Sequence, residues 1–245
     1  WLRLTAVDTP GHGSSPRPTS SVTRIVEALH LIKENPFQAR IIPEVERIFK
    51  SDSKSMEGEL SDKFFNIKES IELEGFLEEL QEYSASRHAL TRDTCSMTRM
   101  GGSSKINVIP PEAWAEIDCR ILPDRPAEEF IETFTDLVKD TGVEVEVIMA
   151  FTSAISPTDS DLFKAIEEVT ADLYPNSSVV PSVSTGFTDS HFTRDLGIAS
   201  YGFNPLIAKG DEFSGIHGND EKINESAFRQ GVLDLKKIIQ RVVHD

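Results

Sequence analysis

Two cysteines in 245 residues leave this chain without a disulfide framework, and neither stands in a Cys-x-x-Cys metal pattern. Cys95 and Cys119 both fall in strand-like stretches and read as small buried hydrophobes. Basic residues are scarce: 25 Lys and Arg against 41 Asp and Glu give a formal charge of −16. So acidic a surface argues against nucleic acid and anionic membrane as partners, because phosphate binding needs a basic face. Long apolar runs are missing too, and nothing approaches the roughly 20 residues that a membrane span needs. Trp1 opens directly on a strand-like W-L-R-L-T-A-V, with no initiating Met or signal segment. That start reads as a cut within a fold, so the compartment stays open, with the cytoplasm favoured.

What is present, 38% hydrophobic and 27% charged residues, is the make-up of an ordinary soluble globular protein with a sizeable core. Leu2, Leu4 and Ala6 alternate with Arg3, Thr5 and Val7 as a first strand. Asp8–Pro16 breaks every periodicity and is a loop. Val22, Ile25, Val26, Leu29 and Ile32 have helical spacing, closed by Asn35-Pro36. From about 41 to 89 runs a polar, mostly helical insert with a modest apolar face of Ile67, Ile71, Phe76, Leu77 and Leu80, expected to lie over its neighbour.

Thr94–Thr98 is strand-like and Gly101-Gly102 a turn. The clearest strand follows, with Ala113, Ala115, Ile117, Cys119 and Ile121 on one face. Pro110-Pro111 keeps the preceding stretch off a central ladder. Phe130, Phe134, Leu137 and Val138 mark a helix, and Val143, Val145, Val147 and Met149 a last strand. The order β-α-β-β-α-β is that of the α+β ferredoxin-like fold, so residues 1–152 are expected to form one domain. After Ser153–Pro157 the pattern becomes α/β: a helix capped by Thr158 or Asp159, short strands at Val179-Val180 and Ile198–Phe203, and a final amphipathic helix. That last helix carries Phe228, Val232, Leu235, Ile238 and Val242. Residues 153–245 supply too few strands for a complete sheet with two covered faces.

Candidate chemistry lies in six motifs. Pro10–Pro16 reads P-G-H-G-S-S-P around His12, Ile106–Pro111 reads I-N-V-I-P-P around Asn107, and Asp118–Pro123 reads D-C-R-I-L-P around Arg120. Later come Gly186-Phe187-Thr188-Asp189, Tyr201-Gly202-Phe203-Asn204-Pro205, and Ile216-His217-Gly218-Asn219-Asp220-Glu221. Taken alone, His217 between its glycines is ordinarily a solvated loop histidine, although a neutral imidazole there suits a metal. Taken alone, His12 is a turn histidine, Asn107 a strand-end residue and Arg120 a solvated strand arginine.

In this order the motifs resemble the zinc-dependent aminoacylase/carboxypeptidase family, and His191 in T-D-S-H leans towards its carboxypeptidase S-like branch. The resemblance implies a whole lid and dimerisation domain with a helical insert, followed by part of an α/β zinc-peptidase catalytic domain. It implies His217 as a zinc ligand, His12 as an oxyanion donor in the partner subunit's site, and Asn107 with Arg120 holding a substrate carboxylate. Gly186, Thr188 and Asp189 would shape the substrate pocket. Two zinc ions are expected, yet the family's His-x-Asp, bridging aspartate and Glu-Glu motifs have no counterpart here. The implied protein is a homodimeric hydrolase of N-acyl amino acids or small peptides, inactive as this chain alone. A carbamoyl-amide hydrolase of the same family and a non-catalytic dimerisation module stay open beside it.

Overall fold

Strand β1 (Leu2–Val7) buries Leu2, Leu4 and Ala6 on one side and turns Arg3 and Thr5 to the other, as a two-residue repeat requires. A computed structural model describes the chain except residues 152, 153, 187, 208–212, 216, 217 and 245 and the side chains of Phe213 and His244. It divides into two units, Trp1–Ile155 and Ser156–Asp245.

In the first unit, β1 leads through the short β2 (Gly11–His12) to helix α1 (Ser21–Glu34). Ser20 caps that helix, its hydroxyl accepting from Thr23 N while Thr23 Oγ1 accepts from Ser20 N. Five helices follow: α2 (Pro43–Ser53), α3 (Glu59–Phe65), α4 (Ile67–Ser70), α5 (Phe76–Tyr83) and α6 (Ala85–Ala89). Then come β3 (Thr94–Gly101), β4 (Val108–Ile109), β5 (Glu112–Arg120), helix α7 (Ala127–Val138) and β6 (Glu144–Val147). Four strands form one sheet in the order β3-β5-β1-β6, every neighbouring pair antiparallel. One sheet face buries Ala113, Ala115 and Ile117 beside the β1 residues, packed by Ile25, Ala28 and Ile32 of α1 and Phe130, Phe134 and Val138 of α7. The fold is thus α+β. Val22 and Val26, expected on the apolar side of α1, are exposed, because Ser21 and Ala28 take the positions facing the sheet.

The insert carries its own core, Val45, Ile48, Phe49, Phe64, Ile67, Phe76 and Leu80, with Phe49 and Phe64 in edge contact at 4.9 Å. Its two ends are tied at the base. Arg40 N donates to Thr91 O at 2.7 Å. The fully buried Asp93 carboxylate receives Arg40 Nη1 and Nη2 at 3.1 and 2.8 Å, Arg125 Nη1 at 3.2 Å and Leu122 N at 2.8 Å. A buried carboxylate is tolerable only when so paired.

Two expectations about the sheet are corrected. Cys95 and Cys119 are not unpaired hydrophobes: they face each other in the β3–β5 register, with Cα atoms 4.1 Å apart, and form a disulfide. Sequence spacing hides this, because strand pairing and not proximity in the chain brings them together. Gly101 belongs to β3 and not to a turn; a Cβ there would meet the Trp114 indole at 2.7 Å, so glycine makes room for the ring.

In the second unit, Ser160 and not Thr158 or Asp159 caps α8 (Asp161–Leu173), accepting from Phe163 N at 3.1 Å. A short helix α9 (Ser190–Asp195), a hairpin of β7 (Phe213–Ser214) with β8 (Lys222–Ile223), and the helix α10 (Glu225–His244) complete it. Neither Val179-Val180 nor Ile198–Phe203 forms a strand, since among the described residues no strand lies alongside to pair with them. Ile198 is 54% exposed and Phe203 36%.

The orientation of α10 also differs from the expectation. Ile238 joins Ala165, Ile166 and Val169 in a small core. Around it, Tyr174 Oη donates to Asp234 at 2.6 Å and Arg241 pairs with Glu168 and Asp172 at 2.6 and 3.3 Å. Gly231 lets the chain pass: a Cβ there would lie 2.8 Å from Pro205 O. These contacts turn Phe228, Val232, Leu235 and Val242 outward, where with Ile239 they form an exposed apolar stripe.

Candidate active-site residues

The antiparallel pairing of β2 with β4 sets His12 opposite Val108, and Gly13 N donates to Asn107 O at 2.8 Å. Pro110 and Pro111 end that short ladder for want of an N–H; their carbonyls accept from Ser21 Oγ at 2.8 Å and Asp8 N at 2.9 Å. His12 Nε2 thereby comes within 3.4 Å of Asn107 Nδ2, across 95 residues of sequence. On the other side of the ring, Nδ1 lies 2.8 Å from Ser14 Oγ and 3.2 Å from Ser14 N. Imidazole and amide are both exposed. The imidazole of such a pair can offer a hydrogen bond to a negatively charged oxygen.

Arg120 is elsewhere. β1 ends at Val7 opposite Glu112, on the side where the chain continues to His12, whereas Arg120 closes the far end of β5 opposite Thr94. At about 3.3 Å per residue, Glu112 and Arg120 are about 26 Å apart. The expected clamp of Asn107 with Arg120 therefore does not form within one chain, since strand β5 holds the two residues apart. Arg120 instead grips Asp118, two residues back on the same face, with Nε to Oδ1 at 2.6 Å and Nη2 to Oδ2 at 2.8 Å. That fork holds the Asp118 carboxyl below the usual carboxylate range, the hydrogen bond outweighing partial burial. Asp118 was legible in D-C-R-I-L-P only as a strand residue, because its role needs the alternation that puts it beside Arg120.

In the second unit Gly186, Thr188 and Asp189 are exposed, and Asp189 leads into α9. Gly186 N donates to Ser184 Oγ at 3.1 Å, and Ser190 N lies 3.4 Å from Thr188 Oγ1. His191, by contrast, is buried, with Nδ1 3.1 Å from Thr188 O. Arg194 binds Ser156 Oγ and Ser200 O at 3.0 and 3.1 Å, which ties α9 to the stretch leading into Tyr201. His217 lies outside the described residues. Among the described residues no group of three or more His, Cys, Asp or Glu is placed to hold a metal ion. The donor set that a hydrolytic zinc requires is not met by them, and the chemistry they support is hydrogen bonding and charge placement. Among them, too, no helix is long and apolar enough to cross a membrane.

Known proteins bear on both units. The mouse N-fatty-acyl-amino acid synthase/hydrolase PM20D1 is 28% identical over 98% of this chain and 48% of its own length. A probable carboxypeptidase S-like 2 of Dictyostelium discoideum is 23% identical over 94% of this chain and 44% of its own. The chain thus spans about half the length of the curated relatives it matches. Among solved structures, an M20 family metallo-carboxypeptidase, Sso-CP2 from Sulfolobus solfataricus, superposes with a TM-score of 0.61 at 17% identity, over 98% of this chain and 57% of that one. Residues 1–146 match the family described as the peptidase dimerisation domain. Through that match the chain belongs to the M20 peptidase dimerisation-domain family.

Proposed function

We propose that this chain carries the lid and the C-terminal part of the catalytic unit of a zinc-dependent hydrolase that cleaves the amide bond of an N-acyl amino acid or small peptide. The observation that carries the reading is the meeting of His12 and Asn107 within 3.4 Å where β2 pairs with β4. The strand order β3-β5-β1-β6, with neighbours antiparallel, supports the ferredoxin-like lid. The half-length match supports a catalytic site completed by polypeptide beyond these 245 residues. The name of the mouse relative, an N-fatty-acyl-amino acid synthase/hydrolase, favours an N-acyl amino acid over a carbamoyl amide.

In this reading His12 Nε2 steadies the oxyanion that forms as the amide carbon becomes tetrahedral. Arg120 leaves Asp118 to hold a substrate carboxylate with two parallel hydrogen bonds. Gly186, Thr188 and Asp189 line the pocket. His217 is assigned to zinc on its motif alone, with the remaining ligands of the two ions outside this chain. Because Arg120 stands at the far end of β5, one substrate takes His12 and Asn107 from one subunit and Arg120 from its partner. A homodimer built through the first unit, with a self-complementary contact, meets that need.

The test is His12→Ala in the complete enzyme. Loss of one oxyanion donor should lower kcat about 10²–10³-fold, with KM little changed. Wild-type turnover would remove His12 from the site.

A further inference from the structure

The turn around His12 has a consequence of its own. Ser15 N donates to His12 O at 3.0 Å, closing a turn over His12–Ser15. The closure swings the Ser14 main chain back over the ring two residues earlier, with Ser14 N 3.2 Å from His12 Nδ1. A backbone N–H can only donate, so the nitrogen it meets must present a lone pair. In a neutral imidazole the proton then resides on the other nitrogen. The Ser14 hydroxyl, 2.8 Å from Nδ1, turns its hydrogen the same way. Nε2–H is thus the outward-facing donor.

Nε2 in turn faces the Asn107 side-chain amide at 3.4 Å. Two N–H groups cannot satisfy one another, and the end of an amide that faces a donor is the carbonyl. Asn107 Oδ1 is therefore the acceptor of Nε2–H.

We infer that Ser14 is a positioning residue: its main-chain N–H fixes His12 as the Nε2–H tautomer, while the Asn107 carbonyl oxygen keeps the place that a ligand's anionic oxygen takes. The assignment of that oxygen to a reacting substrate rests on the hydrolase reading; the tautomer does not. An oxyanion accepts more strongly than a neutral amide oxygen, so its arrival displaces Asn107 and leaves Nε2–H without a change of proton. Ser14 touches no reacting atom and acts through His12.

The experiment is nitrogen NMR on the 245-residue chain, at a pH where the imidazole is neutral. Long-range proton–nitrogen correlations should show the His12 proton on Nε2, and a coupling across the hydrogen bond should join Ser14 N to His12 Nδ1. Ser14→Ala keeps the N–H and should keep both signals. Ser14→Pro removes it, should abolish the coupling and should raise the Nδ1–H population severalfold. If the proline variant does not fold, wild type and Ser14→Ala decide alone. A wild-type ring carrying its proton on Nδ1, an absent coupling, or a folded Ser14→Pro with an unchanged tautomer would each overturn the inference. In the complete enzyme Ser14→Pro should lower kcat more than it alters KM and change the pH profile. An inactive complete enzyme with the tautomer intact would sink the hydrolase reading and leave this one standing.

Discussion

Asn107 and Arg120 lie at opposite ends of the stretch that carries β5, with Asn107 beside His12 and Arg120 locked onto Asp118. If both serve one substrate they must come from different subunits, and mixing separates the cases. In the complete enzyme, His12→Ala and Arg120→Ala should each lose all but a small residue of activity, and exchanged heterodimers of the two should regain part of it. His12→Ala mixed with Asn107→Ala should regain none, since both lesions fall on the same end of each lid. Rescue in the second mixture, or none in the first despite proven exchange, would refute the division.

Asp93 is the joint of the first unit. It is buried beneath Arg40 and Arg125. Asp93→Ala removes the shared acceptor, leaving Arg40 to Asp124, Arg125 to Glu129 and the buried Leu122 N–H without its carboxylate, at a cost of about 1–3 kcal/mol. Urea unfolding of this chain should show a midpoint lowered accordingly. A change within about 0.5 kcal/mol, the usual size of a surface effect, would mean that the insert is held by its own core.

The Cys95–Cys119 bridge closes a loop with a sequence separation of 24 and staples an edge strand to its neighbour. Replacing both cysteines by serine should lower stability by about 3 kcal/mol through the larger freedom of the unfolded chain. Free-thiol titration of the native protein should find none. Two titratable thiols in protein prepared without reductant would contradict the pairing.

The apolar stripe of α10 predicts self-association of this chain in isolation. Leu235→Gln with Ile239→Gln should reduce dye binding and light scattering without unfolding α10, because both side chains point outward. The unaltered chain should show no amidase activity and no tight zinc. Turnover above a metal-only blank would place a complete catalytic set within these residues.

Acid should weaken the fold. The Asp118 and Asp124 carboxyls are held below their usual range, chiefly by hydrogen bonds from Arg120 and Arg40 respectively. A depressed folded pKa contributes stability that is present above the unfolded value of about 3.9 and is lost as pH falls through the folded value. Stability should therefore drop below about pH 4. Arg120→Met should be less stable at neutral pH yet lose less on acidification; an unaltered acid slope would show that Asp118 gains nothing from the pair.

Much of the first unit could be read from the chain. Alternation at Leu2–Val7 and Ala113–Ile121 and helical spacing at Phe130–Val138 each match the element they signal. Such patterns are local, since one buried face repeats every two or every 3.6 residues. The second unit was harder for a physical reason. Ile198–Phe203 has the composition of a buried strand, but a strand needs a neighbour to receive its hydrogen bonds, and none of the described residues supplies one. Composition likewise could not say which side of α10 packs, because Asp234, Gly231 and Arg241 win that face through a hydrogen bond, a close approach and an ion pair.

The sequence by itself determined the α+β alternation, the place of the insert, and the motifs around His12, Asn107 and Arg120. Only the tertiary structure decided which of those residues meet. His12 reaches Asn107 because β2 pairs with β4; Cys95 reaches Cys119, and Arg120 is carried away from both His12 and Asn107, because β5 pairs with β3 and β1 in one register. Register is a property of two strands at once, fixed by backbone hydrogen bonds and a shared buried face, and no single stretch of chain contains it.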